Sequence, residues 1–235
     1  MKYEWLLLDA DGTLFDYDHA EAMALQRTFE QMGHTFDPGY AQAYRRINGQ
    51  IWLDFEQGRI SQERLRTRRF ELLFDAVGAR LDPEAFSLAY LENLAWGTRL
   101  MDGAEDVVQA LHGRVGLMLI TNGLQDVQRP RLARSALDGY FADLVISEEV
   151  GAAKPDPLIF DVAFQRMGRP PKEAVLMVGD SLTSDMRGGV DYGLDTCWYN
   201  PEGRPRNPDV PVRFEIRDLR QLLGLLGSSL EQAGG

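Results

Sequence analysis

The stretch WLLLDADGT, residues 5 to 13, decides the fold class of this chain. Its first part, Trp5–Leu8, is a short and continuous apolar run, which is typical of a central strand in a parallel sheet covered on both faces. Asp9 and Asp11 follow, and extended backbone would point their side chains the same way. Because ligands of open α/β sheets bind just outside the carboxyl ends of such strands, we expect a binding site here. Taken alone, an acidic turn after a strand explains the motif equally well.

Two patterns divide the rest of the chain. Residues 16–96 show helical periodicity without β-branched runs, whereas strand-like apolar runs alternate with helical segments after residue 97. The later runs predicted as strands are residues 115–120, 144–146 and 175–178. Such alternation predicts βαβ units and a parallel sheet with right-handed crossovers. We therefore expect residues 1–15 and 97–235 to form an α/β core with a Rossmann-like parallel sheet, and residues 16–96 to form an all-helical domain inserted in it.

Local signals also mark the later part of the chain. Pro130 lies within the helix predicted after Asn122, and it is expected to break or kink that helix because proline lacks the backbone N–H. Leucines at positions 219, 222, 223 and 226 predict a last helix. Residues 228–235 are expected to form a frayed tail.

The bulk composition argues against several classes of function. A formal net charge of −11 opposes binding to the phosphate backbone of DNA or RNA. The single cysteine, Cys197, excludes an intramolecular disulfide and fits a reducing compartment. The sequence shows neither an apolar signal segment at its start nor a run long enough to span a membrane. We therefore expect a cytoplasmic protein without nucleic-acid or membrane partners, and the sequence leaves its oligomeric state open.

The later predicted strands also end in residues that could carry chemistry. Thr121 and Asn122 follow the strand at 115–120, although a helix N-cap is the ordinary explanation of such a pair. Lys154 precedes a predicted helix start that does not account for it, and a lone lysine is usually a solvated charge. Asp180 directly follows the strand at 175–178, and Asp185 reads alone as another N-cap. Together these side chains predict a polar cluster at one edge of the sheet.

Such a cluster requires compensating positive charge. Asp9, Asp11 and Asp180 would repel one another strongly if nothing balanced them. Mg²⁺ typically binds one or two carboxylates, waters and a phosphate oxygen, and Lys154 would add a second positive charge. The charges balance beside a phosphate dianion only with a divalent cation present. The cluster therefore predicts a Mg²⁺ site and a small anionic substrate.

The order and spacing of these motifs resemble those of the haloacid dehalogenase (HAD) superfamily of phosphatases. Residues 9–13 look like its first motif, Thr121 and Asn122 like its second, Lys154 like its third, and residues 179–185 like its fourth. The resemblance covers nearly the whole chain. The helical insert after the first motif corresponds to the C1 cap of that superfamily, which implies that the insert closes over the strand ends.

The resemblance implies a role for each motif residue. Asp9 would attack phosphorus and form an aspartyl-phosphate, and Asp11 would protonate the leaving alkoxide and then accept a proton from water. Thr121, Asn122 and Lys154 would hold the transferring phosphate oxygens. The resemblance further implies a Mg²⁺ ion that is bound by a side-chain oxygen of Asp9, the backbone carbonyl of Asp11 and the carboxylate of Asp180, with Asp185 in support. Relatives that remove halide lack the second aspartate, so Asp11 favours phosphoryl transfer.

Three stretches resemble more closely the bacterial branch that dephosphorylates pyrimidine and non-standard nucleoside 5′-monophosphates. They are residues 9–16, 146–151 and 175–180. This resemblance implies a small-molecule phosphate monoester as substrate. Two alternatives stay open: a phosphatase for another small ester, such as a sugar phosphate or phosphoglycolate, and a binding or regulatory module that kept the fold without its chemistry. The intact set of aspartates and Lys154 speaks against the second.

The insert offers two further signals. The basic run at residues 64–69 is expected to be a solvated helix face, and its functional alternative is recruitment of an anionic substrate. Phe15, Tyr17, Trp52 and Phe55 could stack on a base, although aromatic residues of a small helical domain more often belong to its core. The sequence does not indicate which residues of the insert contact the leaving group.

Overall fold

Six parallel strands form one sheet in the computed structural model of the chain, which describes residues 2–227. The strands are β1 (Trp5–Leu8), β2 (Gly116–Thr121), β3 (Asp143–Ile146), β4 (Val175–Gly179), β5 (Asp195–Tyr199) and β6 (Phe214–Ile216). Their order across the sheet is β3-β2-β1-β4-β5-β6. The chain thus winds outward from β1 in one direction and from β4 in the other. Ligand sites of such sheets lie at the carboxyl ends of the strands where the winding reverses, which here is the β1–β4 pair.

Both faces of the sheet are buried, as the unbroken apolar runs predict. On β1, Leu6 and Leu8 pack into one core layer and Leu7 into the other. The helices of the α/β core are α5 (Ala104–Leu111), α6 (Gln125–Arg134), α7 (Ser147–Val150), α8 (Pro157–Arg166), α9 (Arg187–Tyr192) and α10 (Gln221–Gly227). The helices α5 and α10 contribute to the first layer and α8 to the second. The predicted fold class, a Rossmann-like sheet with a helical insert, is confirmed.

The prediction for Pro130 is partly wrong. The helix α6 continues through Pro130 as far as Arg134, so the proline does not end it. Pro130 is the sixth residue of this ten-residue helix, so α6 accommodates the loss of one backbone hydrogen bond in its interior. The predicted last helix is present as α10, whereas the predicted tail at 228–235 lies outside the described residues.

The chain divides into two compact units. One comprises the described residues up to Asp16 and from Thr98 onward, and the other is Tyr17–Gly97. The units change between residues 16 and 17 and between residues 97 and 98, in each case one residue later than the predicted boundary. The second unit, called the helical unit below, contains α1 (Tyr17–Gln31), α2 (Pro38–Glu56), α3 (Gln62–Val77) and α4 (Pro83–Leu94). Within it α2 packs on α3, and α1 on α4.

Local sequence explains where the helices of the helical unit begin. Asp37, Ser61 and Asp82 are the N-caps of α2, α3 and α4, and each side chain accepts a hydrogen bond from a backbone N–H of the first turn. A cluster of aromatic rings fills the interior, with Phe86 4.9 Å from Phe29 and 5.0 Å from Phe70 between ring centroids. In the part of the chain that the structure covers, no helix has both the length and the apolar character needed to cross a membrane.

Candidate active site

Asp9 lies at the carboxyl end of β1, beside the end of β4. Its backbone N–H donates to the Val178 carbonyl at 2.9 Å, which extends the β1–β4 pairing by one residue. Its carboxylate is buried and accepts hydrogen bonds from Lys154 Nζ at 2.7 Å and from Thr13 Oγ1 at 3.1 Å. Burial and the nearby Asp185 charge raise the pKa of Asp9 well above its ordinary value, and Lys154 opposes this shift. The carboxylate is therefore held in one orientation within a crowded anionic cluster.

Lys154 is the cation at the centre of the cluster. Only 1% of its surface is exposed, and its Nζ donates to Asp9 Oδ1 at 2.7 Å, to Asp185 Oδ1 at 2.6 Å and to the Ile120 carbonyl at 2.8 Å. Three acceptors satisfy all the donors of an ammonium group. Burial alone would lower the pKa of Lys154, but the Asp185 and Asp9 carboxylates outweigh burial and raise it. Lys154 is thus a structural partner of two carboxylates as well as a candidate phosphate ligand.

Asn122 positions Lys154 through the main chain. Its side-chain Nδ2 donates to the Lys154 carbonyl at 2.8 Å, and its Oδ1 accepts from the Lys154 N–H at 2.7 Å. This pair of bonds ties the loop after β2 to the loop that carries Lys154, 32 residues further along the chain. The phosphate contact predicted for Asn122 stays a prediction.

Thr121, the last residue of β2, is buried, with 1% of its surface exposed. Its Oγ1 has no hydrogen-bond partner within residues 2–227. A buried hydroxyl without a partner loses the free energy of a hydrogen bond. This unsatisfied group fits the predicted phosphate contact, since a ligand oxygen would supply the missing partner.

Asp180 and Asp185 come from the turn after β4. Ser181 precedes a π-helical turn, Leu182–Met186, and its Oγ accepts from the Ser184 N–H at 3.2 Å. Such turns occur often at functional sites. This turn brings Asp185 back to the strand end, where its carboxylate accepts from Lys154 and from the Ser181 N–H at 3.0 Å. Burial and the Asp185 charge raise the pKa of Asp180 to about 7, against the lowering effect of Arg204.

Two glycines allow the carboxylates to approach the backbone. Gly12 has a φ of 84°, and a Cβ there would lie 3.0 Å from the Asp180 carboxylate. A Cβ at Gly179 would lie 2.3 Å from Asp185 Oδ2, closer than any real contact. Side chains at these positions would displace the two aspartates, so glycine is required at both.

The carboxylate cluster fits a divalent cation. Asp9, Asp180 and Asp185 each offer an oxygen, and these oxygens lie within 4.8 Å of one another. Lys154 pairs with Asp9 and Asp185, and Arg204 Nη2 lies 3.6 Å from Asp180 Oδ2, so two cations face three closely spaced carboxylates and neutralise them only in part. A set of oxygen ligands alone suits a hard cation such as Mg²⁺. The donor chemistry therefore agrees with the predicted metal. Asp185, which was predicted only to support the metal site, is itself one of the three clustered carboxylates.

Asp11 is held apart from that cluster by two residues of α6. Gln128 Nε2 donates to Asp11 Oδ2 at 2.6 Å, and Arg131 Nη1 donates to Asp11 Oδ1. Both partners are buried, whereas the Asp11 side chain keeps 21% of its surface exposed. The second aspartate of the motif therefore has its own binding partners, distinct from Lys154.

Sequence reasoning did not identify Gln128, Arg131, Thr13 or Arg204 as site residues. Arg204 Nη2 donates to the Asp180 carbonyl at 2.8 Å, and Trp198 Nε1 donates to the same oxygen at 2.9 Å. Gln128 and Arg131 have one local signal, a spacing that places them one turn apart on one helix face, and Thr13 lies within the first motif at residues 9–13. Arg204 lies in a proline-rich loop and carries no such signal.

The fold and this cluster of acidic side chains describe a Rossmann-like α/β protein with a candidate catalytic centre at the carboxyl edge of its sheet. Comparison with known proteins gives the same class: the haloacid dehalogenase-like hydrolase family matches residues 3–193. The chain belongs to this family, and the resemblance stated from its motifs is confirmed.

Relatives extend the similarity to nearly the full length. The chain is 37% identical to the pyrimidine 5′-nucleotidase YjjG of Escherichia coli, over 96% of this chain and 99% of that protein. It is 35% identical to the pyrimidine 5′-nucleotidase PynA of Streptococcus pneumoniae, over 98% of each. A crystal structure of the HAD-hydrolase YfnB from Bacillus subtilis bound to magnesium superposes with a TM-score of 0.91 at 35% identity, covering 96% of this chain and 99% of that one.

Proposed function

We propose that this protein is a Mg²⁺-dependent phosphomonoester hydrolase that uses Asp9 as its nucleophile. The observation that carries the proposal is the Asp9 carboxylate, held at a strand end by Lys154 and Thr13 beside two further carboxylates. Its environment matches what phosphoryl transfer needs, because that reaction depends on positioning and electrostatic stabilisation. Two relatives at 35–37% identity are named as pyrimidine 5′-nucleotidases, which are phosphatases, and this supports the same reaction.

The chemistry proceeds in two displacements. An Asp9 carboxylate oxygen attacks phosphorus, the bond from phosphorus to the ester oxygen breaks, and Asp11 donates a proton to that departing oxygen. Water then attacks the same phosphorus, Asp11 takes a proton from that water, and the bond from Asp9 to phosphorus breaks, releasing inorganic phosphate. Splitting the reaction in this way replaces one difficult step by two easier ones. Thr121 Oγ1 binds a phosphate oxygen during both displacements, and Lys154 Nζ binds another in exchange for one of its three acceptors in the free protein.

Mg²⁺ would be held by Asp9 and Asp180, with the Asp11 backbone carbonyl and Asp185 contributing. When bound, it supplies the positive charge that offsets the carboxylates and the substrate phosphate. Removal of the metal with EDTA is expected to stop turnover, and added Mg²⁺ to restore it. Ca²⁺ is expected to substitute poorly, because it is larger and less strict about octahedral geometry. Full turnover by a metal-stripped sample would contradict this part of the proposal.

Within this class we propose that the substrates are pyrimidine nucleoside 5′-monophosphates, chiefly deoxyribose ones. Two relatives that cover almost the whole chain, helical unit included, carry the name pyrimidine 5′-nucleotidase. That shared coverage supports the proposal, although no residue of the helical unit is assigned to base recognition. Closure of the helical unit over the strand ends stays a prediction.

A substrate panel tests both levels of the proposal. With Mg²⁺ present, we expect 4-nitrophenyl phosphate to be hydrolysed, and deoxyuridine or thymidine 5′-monophosphate to give a higher kcat/KM than sugar phosphates, phosphoglycolate or phosphoserine. A tenfold advantage for one of the latter, about 1.4 kcal/mol in transition-state binding, would reject the nucleotidase and retain the phosphatase. No hydrolysis of any ester would favour the binding or regulatory module.

A further inference from the structure

The helix α6 places two buried donors against Asp11. It begins at Gln125, shortly after Thr121 and Asn122, and ends at Arg134. Gln128 and Arg131 are 4% and 0% exposed, and their separation by three positions puts them on one face of the helix. Each donates to a different oxygen of the Asp11 carboxylate. Two bonds to two oxygens restrict both the position and the plane of the carboxylate.

Burial of the Arg131 guanidinium at this position lowers the free energy of unfolding. Its guanidinium lies 5.5 Å from the centroid of the Phe15 ring, with Nη1 bonded to Asp11. Its Nε and Nη2 are buried and find no hydrogen-bond partner among the residues that the structure describes. Unsatisfied buried donors of a charged group reduce stability. Arg69 of the helical unit has the same two donors unsatisfied among residues 2–227, so it is the contact of Arg131 with Asp11 that indicates a role in the reaction.

We propose that Gln128 and Arg131 are positioning residues for Asp11 and direct its carboxylate toward the oxygen of the departing group. This inference rests on the proposed function, because it assigns partners to the residue that transfers the proton. A carboxyl group offers about four lone-pair sites, so two accepted hydrogen bonds leave sites for the transferred proton. Neither Gln128 nor Arg131 exchanges a proton with the substrate. They act only through the direction in which Asp11 presents its oxygens.

Positioning of Asp11 by Gln128 and Arg131 has a kinetic consequence that a purely structural role of these two residues would not have. Departure of an alkoxide from a nucleotide or sugar phosphate needs a proton from Asp11, whereas 4-nitrophenolate is a stable anion that leaves without one. Loss of Asp11 positioning should therefore lower kcat/KM for alkyl phosphates far more than for 4-nitrophenyl phosphate. The parameter kcat/KM reports the steps up to the departure of the first product, which isolates this effect from the later attack of water.

The experiment compares variants of the full chain with both kinds of ester. Arg131→Met removes the donors and keeps the length of the side chain, and Gln128→Leu removes the other donor at similar volume. We expect each to lower kcat/KM for deoxyuridine 5′-monophosphate relative to 4-nitrophenyl phosphate, on the order of 10²-fold for Arg131→Met, the cost of a misplaced catalytic group. Arg131→Lys, which restores one positive donor, should recover part of this loss.

A control and a double variant complete the test. Arg129→Met lies on the same helix, where Arg129 Nη2 pairs with Glu149 Oε2 at 2.6 Å on the surface, and it should leave both kcat/KM values unchanged. In the Asp11→Asn background, Arg131→Met should add little, because its effect passes through Asp11. Thermal unfolding verifies that each variant is folded, and if Arg131→Met does not fold, Gln128→Leu and Arg131→Lys decide the question.

Two results would overturn the proposal. One is an equal loss of kcat/KM on both esters, which indicates a general disturbance of the site. The other is a folded Arg131→Met or Gln128→Leu variant with wild-type kcat/KM on deoxyuridine 5′-monophosphate. If the proposed function is wrong, the wild-type protein itself will hydrolyse neither ester, and this distinguishes that outcome from the two results above. If the panel identifies a sugar phosphate as the better substrate, that ester replaces the nucleotide, and the comparison keeps its meaning.

Discussion

The α/β unit and the helical unit each bury a cation, but they hold it differently. Lys154 in the α/β unit meets three oxygen acceptors, two of which belong to carboxylates. Arg69 in the helical unit is equally buried, yet its hydrogen bond goes to the neutral Asn48 Oδ1 at 3.2 Å. Its guanidinium otherwise lies against the rings of Phe70 and Tyr90, at 4.9 and 5.3 Å.

The buried carboxylates of the two units differ in the same way. Asp9 shares Lys154 with Asp185, and Asp9, Asp180 and Asp185 lie close enough together to bind a metal. Glu21 on α1 accepts from Asn48 Nδ2 on α2 at 3.0 Å, and Asn48 in turn accepts from Arg69 on α3. The chain of bonds ties three helices together. In the α/β unit the buried charges are concentrated at the candidate active site. In the helical unit they are spread along the packing contact between helices.

Replacing a buried carboxylate by its amide should separate catalysis from packing most clearly, because this change can be made in both units. Asp9→Asn is expected to abolish turnover of 4-nitrophenyl phosphate while the protein stays folded, because an amide oxygen cannot replace the attacking carboxylate. Turnover and thermal unfolding are measured on the same sample. Near-normal turnover by a verified Asp9→Asn protein would exclude the covalent route.

Removal of the buried cation should affect both activity and stability in the α/β unit. Lys154→Met leaves the Asp9 and Asp185 carboxylates buried without their shared partner. Breaking a buried ion pair by deleting one member typically costs about 3–5 kcal/mol. We expect a loss of this size in the free energy of unfolding, measured by urea titration, together with loss of turnover. A variant within about 1 kcal/mol of wild type would show that the pair is not a source of stability.

The second aspartate should matter less than the first. Asp11→Asn is expected to lower kcat for a nucleoside 5′-monophosphate by ~10²–10⁴, the usual contribution of a general acid and base. Binding of the substrate should change little, because Asp11 is not placed among the phosphate-binding groups. Steady-state kinetics distinguish the two effects. If KM rises while kcat is unchanged, Asp11 contributes uniform binding and its assigned role is wrong.

The matched change in the helical unit should have a much smaller effect than Lys154→Met. Arg69→Met retains most of the apolar stem and removes a buried charge whose Nε and Nη2 lack partners in the described part of the chain. Replacing a buried charge by an apolar side chain of similar volume is often neutral or stabilising. We expect the free energy of unfolding to stay within ~1 kcal/mol of wild type, with hydrolysis of 4-nitrophenyl phosphate retained. A loss as large as that of Lys154→Met would remove the contrast between the units.

Glu21→Gln should give the smallest effect, and one that depends on pH. Burial raises the pKa of Glu21, against hydrogen bonds from Tyr17 and Asn48 and the charge of Arg45. A carboxyl with a raised pKa in the folded state stabilises the fold below its unfolded pKa, and this stabilisation is lost as pH rises through the folded value. The variant should therefore unfold at a higher temperature than wild type near neutral pH, by ~2–4 °C for roughly 1 kcal/mol.

The advantage of Glu21→Gln should shrink as the pH falls through the raised folded-state pKa toward the ordinary pKa of glutamate, and it should be smallest below that ordinary value. Thermal unfolding at several pH values measures this trend. An advantage that grew toward acid pH would show that the Glu21 carboxylate is stabilised in the folded state, contrary to the effect of its burial.

Much of the architecture was predictable because its signals are local. A continuous apolar run identifies β1, and helical periodicity identifies the insert, since both depend only on neighbours along the chain. The meeting of Asp9, Asp180 and Lys154 was also predictable, because the carboxyl ends of parallel strands share one edge. The basic run at residues 64–69 was predicted as a solvated face, but helical spacing also places Arg69 on the apolar face with Leu65 and Leu73, and all three are buried.

What the sequence determined by itself was the sheet, the helical insert and the acidic motif at the end of β1. Tertiary structure alone decided that Arg131, 120 residues from Asp11, turns its guanidinium toward that carboxylate, and that Asn122 binds the backbone of Lys154. Helical periodicity fixes the relative positions of side chains around a helix, but the direction that each side faces depends on which neighbours pack against it. Those neighbours are distant in sequence, so the contacts that orient the site come into existence only when the chain has folded.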